Sequence, residues 1–242
     1  MTRRYYLPNL TTMSGVIELP PDEAAHAVRV MRVNLGDSIE LFDGQGHQAT
    51  AVIAHVAKRQ CLCRVESVAM IDREPSARLT MAIALPKPDR AKEMVERLTE
   101  IGVHRIEPIV FERTQRAPGD NLIEKLQRVV IEACKQSGRN HLMPISPAVT
   151  FGQWITEYRQ AEMVDRVAYV AMPSGTPTPI DPIRSDPTTQ PECSVVIGPE
   201  GGLTESELQD CLDASIAPVD LGKRILRIET AACVIASRIL AD

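Results

Sequence analysis

Aromatic residues are scarce in this sequence, at 3% of 242 residues, and Trp154 is its single tryptophan. The core must therefore be aliphatic, and a row of aromatic platforms for single-stranded nucleic acid is not expected. An excess of positive charge is also lacking. Lys and Arg number 27 against 32 Asp and Glu, a formal net charge of -5. This argues against a chain that coats nucleic acid non-specifically, but it leaves room for a local basic face. No stretch approaches the roughly 18 apolar residues of a membrane span, and the start, Met1 to Pro8, has no signal-peptide run. The six cysteines form no C-x-x-C pair. They read as buried thiols in a reducing compartment and not as a zinc framework. The five histidines are dispersed, and no G-x-S-x-G, H-E-x-x-H or kinase set occurs, so no metal is expected. A soluble cytoplasmic protein is the expectation. With 44% hydrophobic and 24% charged residues, the composition is that of a globular protein with room for a large and a small domain.

The patterning divides the chain at about residue 72. Residues 1–72 read as short strands and turns, a small β-barrel. Ser38–Phe42 runs into the hairpin signal Asp43-Gly44-Gln45-Gly46, with further strands over Thr50–Val56 and Cys61–Val68. One helix interrupts, predicted from Pro21 to Val33 on the stripe Ala24, Ala27, Val28 and Met31. The polar breaker Ile71 to Ser76 marks the boundary. Residues 73–242 then alternate buried strands with amphipathic helices, as in an α/β domain with a mostly parallel sheet. Strands are expected at Leu79–Leu85, Ile106–Val110, Arg166–Met172, Ser194–Ile197 and Ala217–Leu221. Helices are expected around Ala91–Ile101, Leu122–Ala133, Glu205–Leu212 and Thr230–Leu240. Six prolines between Pro173 and Pro191 suggest a mobile loop or part of a site.

Two segments carry chemistry. In Ser194-Val195-Val196-Ile197-Gly198-Pro199-Glu200-Gly201-Gly202-Leu203-Thr204, an apolar strand ends in a glycine-rich loop. Thr204 and Glu207 form a capping box that fixes the next helix start. Ligands of parallel sheets bind beyond the carboxyl ends of strands, and glycines let them approach the backbone. The loop is no phosphate loop, since it lacks Gly-Lys-Ser/Thr and Glu200 would repel phosphate. A tight turn alone would account for the same residues. The second segment, Asp220-Leu221-Gly222-Lys223-Arg224-Ile225-Leu226-Arg227-Ile228-Glu229-Thr230, repeats the strand, glycine, loop and helix order. It places three cations beside an acid at a helix start. Other cations, Arg3 or Arg4, Arg29, Arg32, Lys87 and the run Lys135 to Arg139, could line one face that grips phosphates.

Together these segments resemble the signature of the 16S ribosomal RNA (uracil-N3)-methyltransferases of the SPOUT superfamily. Supporting matches run through His26 to Arg32, Lys87-Pro88-Asp89-Arg90, Leu98 to Val103 and Glu132 to Arg139, so the resemblance covers nearly the whole length. It implies an N-terminal PUA-like β-barrel that helps hold RNA, and a C-terminal α/β domain tied into a trefoil knot, an exception to the rule of unknotted folds. It implies a homodimer that binds S-adenosyl-L-methionine, placed by analogy against Ile197, Gly198, Glu200, Gly201, Leu221, Gly222 and Leu226. The expected RNA contacts are Arg4, Arg29, Arg32, Lys87, Arg139 and Arg224. Arg227 is expected to stabilise charge on the uracil ring, with Glu229 either orienting it or accepting the N3 proton. The substrate implied is 16S ribosomal RNA within the small ribosomal subunit. Three other readings stay open: a SPOUT enzyme for another base or for tRNA, a catalytically silent ribosome-assembly factor, and a small-molecule α/β enzyme.

Overall fold

A computed structural model describes residues 3–10, 15–161, 167–173 and 191–241. The chain divides into two compact units.

The first unit runs through Glu74 and also takes in Ile131–Leu142. Its strands are β1 (Arg4–Tyr6), β2 (Val16–Glu18), β3 (Ser38–Phe42), β4 (His47–Ala57) and β5 (Gln60–Met70), with helix α1 (Pro21–Arg29) between β2 and β3. They form one sheet in the order β1-β3-β4-β5-β2. The predicted hairpin joins β3 to β4, and Asp43 closes it by accepting from the amides of Gln45 and His47 at 2.7 and 3.0 Å. Strands β3, β4 and β5 form a meander, while β1 runs parallel to β3 at one edge and β2 pairs antiparallel with β5 at the other. The core is aliphatic, with Leu19, Ile39, Leu41, Ile53, Cys61 and Cys63 all almost fully buried.

Helix α1 is shorter than the apolar stripe predicts. The amides of Val30 and Met31 both turn back to the His26 carbonyl, and Arg32 takes a left-handed φ of 48°. Met31, expected on the buried face, is consequently exposed.

The second unit, Pro75–Val130 with Met143 onward, contains a six-stranded sheet. Its strands are β6 (Arg78–Ile83), β7 (Arg105–Val110), β8 (Val149–Thr150), β9 (Val167–Ala171), β10 (Glu192–Ile197) and β11 (Ala217–Val219). The order is β11-β9-β10-β6-β7-β8, and every pairing is parallel. The helices are α2 (Pro88–Ile101), α3 (Asp120–Ser137), α4 (Phe151–Gln160), α5 (Glu205–Asp213) and α6 (Ile228–Ile239). Ala91, Met94, Val95 and Leu98 bury the predicted stripe of α2, and Gly102 ends it in a left-handed cap with φ 96°. Helix α4 has no counterpart among the expected elements. Its start was nevertheless written in the sequence: Thr150 and Gln153 form a complete capping box. The strand expected over Ala217–Leu221 stops at Val219. Residues 174–190, most of the proline-rich stretch, lie outside the described residues. Among the described residues no helix is long and apolar enough to cross a membrane.

The chain is divided differently from the two-part reading at residue 72. Helix α3 leaves the second unit at Val130, and the segment from Ile131 to Leu142 is fastened within the first. Lys135 Nζ donates to Glu23 Oε1 at 2.9 Å, and Arg139 Nε to Glu74 Oε1 at 2.8 Å. Arg4 Nη1 donates to the carbonyls of Cys134 and Arg139 at 2.6 and 3.0 Å, and Leu142 N to Gly44 O at 3.0 Å.

Candidate active site

Strand register builds the site. Ile83, Ile197, Ala171 and Val219 end four neighbouring strands in one row across β6, β10, β9 and β11. The ladder continues past that row, with Ala84 N donating to Ile197 O at 2.9 Å and Met172 N to Val219 O at 3.0 Å. The loops after these strands therefore leave from the carboxyl edge of one parallel sheet, where such sheets bind ligands.

In the loop after β10, Ile197, Gly198 and Pro199 are buried, whereas Glu200 and Gly201 are exposed. The turn closes on itself through Gly202 N donating to Pro199 O at 2.8 Å, with Gly202 at φ 70°. Thr204 then caps α5 as predicted, its hydroxyl accepting from Glu207 N at 3.2 Å and Glu207 Oε2 accepting from Thr204 N at 2.9 Å. Glu207 is buried because its other oxygen accepts from Glu112 N at 2.8 Å in the loop after β7. That loop makes a second contact: Arg113 Nη1 donates to the carbonyls of Gly201 and Leu203. Gly198 also has a close neighbour within its own loop. A Cβ on it would lie 2.3 Å from Leu203 Cδ1, so the leucine folds over the glycine within the loop itself.

After β11, buried Asp220 accepts from Gly222 N at 2.8 Å, and Gly222 takes φ 115°, a backbone conformation that favours glycine. Leu221, Gly222 and Leu226 are half-buried, and Lys223, Arg224 and Arg227 are exposed. Arg227 is the N-cap residue of α6, and its side chain has no ion pair or hydrogen bond with the described residues. Glu229, two residues on, is buried. Its Oε1 faces Arg90 Nη1 of α2 at 3.8 Å, while Oε2 is buried with no hydrogen-bond partner among the described residues. The orienting contact is thus with Arg90, not Arg227.

All nine expected catalytic and cofactor residues fall in these two loops and the turn that follows. The expected RNA contacts divide. Lys87 and Arg224 are exposed in the second unit, and Arg29 and Arg32 in the first. Arg4 and Arg139 are enclosed instead, with side chains only 6% and 5% exposed. Arg4 pairs with Glu40, reaches Asn140 and lies over the Phe42 ring at 4.5 Å. Arg139 pairs with Glu74 through two nitrogens. Both cations are engaged within the first unit, unlike the four exposed ones. Two residues of the site escaped sequence reasoning. Arg90 sits in the quoted Lys87-Pro88-Asp89-Arg90 run without an assigned role. Arg113 lies in an ordinary charged loop and gave no signal.

Whether these residues fit S-adenosylmethionine can be tested on the geometry. Backbone groups of two glycine-bearing loops share one sheet edge, and one buried carboxylate oxygen has no donor among the described residues. A ligand bearing amino and hydroxyl donors and no phosphate suits both features.

Comparison with known proteins agrees. A family model described as an RNA methyltransferase domain matches residues 72–240, and one described as an RNA methyltransferase PUA domain matches residues 19–66. The ribosomal RNA small subunit methyltransferase E of Synechocystis is 30% identical over 229 residues, covering 95% of this chain and 74% of that one. A Legionella pneumophila methyltransferase solved with bound S-adenosylmethionine superposes with a TM-score of 0.85 at 30% identity, covering 98% and 96% of the two chains. The Neisseria gonorrhoeae ribosomal RNA small subunit methyltransferase E, also solved with S-adenosylmethionine, gives 0.84 at 26%, with the same coverage. The chain, an α/β protein with an N-terminal PUA-like unit, belongs to the RNA methyltransferase family.

Proposed function

We propose that the protein methylates N3 of a uridine in small-subunit (16S) ribosomal RNA, with S-adenosylmethionine as methyl donor. One observation carries the reading: an exposed arginine without a partner among the described residues and a buried carboxylate with a free oxygen stand two residues apart, at the edge where two glycine loops leave the sheet. Relatives bearing the small-subunit name, and structures solved with the methyl donor, support it.

The backbone of Ile197, Gly198, Gly201, Leu221, Gly222 and Leu226, with Glu200 at the loop's exposed tip, would hold the donor. When bound, S-adenosylmethionine supplies an electrophilic methyl carbon on a sulfonium centre. Uracil N3 carries a proton and must lose it before its lone pair can attack. Glu229 Oε2, which has no donor among the described residues, accepts that proton. The negative charge that develops on N3 and its flanking carbonyls meets the Arg227 guanidinium, and its electrostatic stabilisation lowers the barrier. Holding the two reactants in line supplies much of the rest. Arg29, Arg32, Lys87 and Arg224 contact RNA phosphates, fixing register without reading sequence. A homodimer, a knotted C-terminal domain, the assembled small subunit as substrate and a cytoplasmic location complete the reading.

The test is transfer of labelled methyl from S-adenosylmethionine to unmodified small ribosomal subunits, followed by nucleoside analysis. Labelled 3-methyluridine is the expected product. A different methylated nucleoside would overturn the N3 assignment, and cofactor binding without transfer to any RNA would favour a silent assembly factor.

A further inference from the structure

Three buried side-chain polar atoms lack a partner among the described residues: Tyr5 Oη, His141 Nδ1 and Glu229 Oε2. The first two belong to the first unit, where Glu74 Oε1 stands 3.8 Å from His141 Nδ1. Glu229 is the one at the site. A buried carboxylate oxygen without a donor is costly, so its orientation must be maintained by something.

Arg90 is the group placed to do so. It sits in the first turn of α2, behind Pro88 and Asp89, where the helix dipole disfavours a cation. Arg90 Nη1 is 3.8 Å from Glu229 Oε1, with side chains 31% and 7% exposed. That distance exceeds a hydrogen bond. The contact is electrostatic, and it draws one oxygen of the carboxylate toward α2 while leaving the other unengaged. Glu229, in the first turn of α6, is itself where a helix dipole favours an acid. Each first turn thus supplies one half of the pair.

Resting on the proton-acceptor reading above, we infer that Arg90 is a positioning residue. It holds Glu229 by Oε1 so that Oε2 is presented in a fixed direction to the N3–H of the target uridine. The proton passes from N3 to Oε2 and afterwards to solvent, and Arg90 touches no reactant.

Steady-state kinetics of Arg90→Ala, Arg90→Lys, Glu229→Gln and the Arg90→Ala/Glu229→Gln double variant, with calorimetric S-adenosylmethionine affinity for each, test this. Arg90→Ala is expected to lower kcat about 10- to 100-fold, the effect of a misplaced catalytic group, with both KM values and the cofactor Kd within about twofold of wild type. Arg90→Lys is expected to recover most of the rate, because the charge returns. The double variant is expected to be no slower than Glu229→Gln alone, because Arg90 acts only through Glu229. A full rate in Arg90→Ala with a crippled Glu229→Gln overturns this inference alone, as do losses that multiply in the double variant. A full rate in Glu229→Gln overturns the proton-acceptor reading and takes this inference with it. About tenfold weaker cofactor binding by Glu229→Gln, or 1.4 kcal/mol, would assign Oε2 to the donor's ammonium and overturn both.

Discussion

Arg113 Nη1 donates to the carbonyl oxygen of Gly201 at 3.0 Å and to that of Leu203 at 3.2 Å. One exposed side chain from the loop after β7 thereby holds the far half of the glycine loop after β10. Arg113→Ala is expected to leave the fold intact and to weaken S-adenosylmethionine binding about tenfold, the scale of one net charge-assisted hydrogen bond. Isothermal calorimetry checks it, and unchanged affinity would show that the loop holds its shape unaided.

The close fit of Leu203 over Gly198 makes a compensation experiment available. Gly198→Ala places a Cβ 2.3 Å from Leu203 Cδ1, the free end of a flexible side chain that must swing aside, at a cost of about 1 kcal/mol or less. Denaturant titration and cofactor affinity should both suffer. The double variant Gly198→Ala/Leu203→Ala should recover stability. If it does not, backbone crowding and not the leucine is the cause.

Arg227→Ala removes an exposed side chain that has no partner among the described residues, so its stability should stay within about 0.5 kcal/mol of wild type. Methyl transfer should fall about 10²- to 10³-fold, the loss typical of one electrostatic stabiliser, with cofactor affinity nearly unchanged. A matching loss of cofactor binding would move Arg227 into the donor's pocket.

The buried and exposed arginines should separate cleanly. Arg139→Ala removes both hydrogen bonds to Glu74, whose side chain is 16% exposed and retains only the His141 contact at 3.8 Å, and should cost about 3 kcal/mol of stability, as breaking an enclosed pair does. Arg4→Ala should behave alike. Arg32→Ala and Lys87→Ala should instead leave the melting temperature alone, weaken RNA binding and lower the salt slope by about one each. Salt-dependent binding curves with thermal unfolding decide it, and a flat salt response in wild type would remove the phosphate contacts altogether.

Burial pushes Cys63, Cys193 and Cys211 up to about 12 and Cys134 to about 11, from an ordinary thiol value of 9.0. Folded thiols then keep protons that the unfolded chain releases. Their contribution to stability is complete below pH 9 and is lost as the pH rises toward 12. Denaturation midpoints should fall progressively above about pH 9, and replacing Cys193 by Ser should blunt the fall. In the native protein at pH 8, half-buried Cys233 should be alkylated before the five buried thiols.

Much of this protein was legible in the sequence because the signals were local. The apolar run at Leu79, the stripe Ala91, Met94, Val95 and Leu98, the Thr204 and Glu207 capping box and the two glycine loops each specify their own geometry within a few residues. The loop residues named from them fall together at one sheet edge. Helix α4 is equally legible through the Thr150 and Gln153 capping box.

What tertiary structure decided is which charges meet. No local rule distinguishes Arg139, buried against Glu74 across 65 positions, from Arg32, left in solvent. Both are arginines in polar surroundings, and only the docking of Ile131–Leu142 onto the first unit tells them apart. The same holds for Arg90 and Glu229, brought from two helix starts 139 residues apart to within 3.8 Å. Periodicity and turn chemistry act over one or two helical turns, whereas a charge is valued by the dielectric and partners that the whole fold places around it. Local sequence signals specify the two loops, and strand register brings them to one edge. Which charged side chains are free to act there was settled by packing.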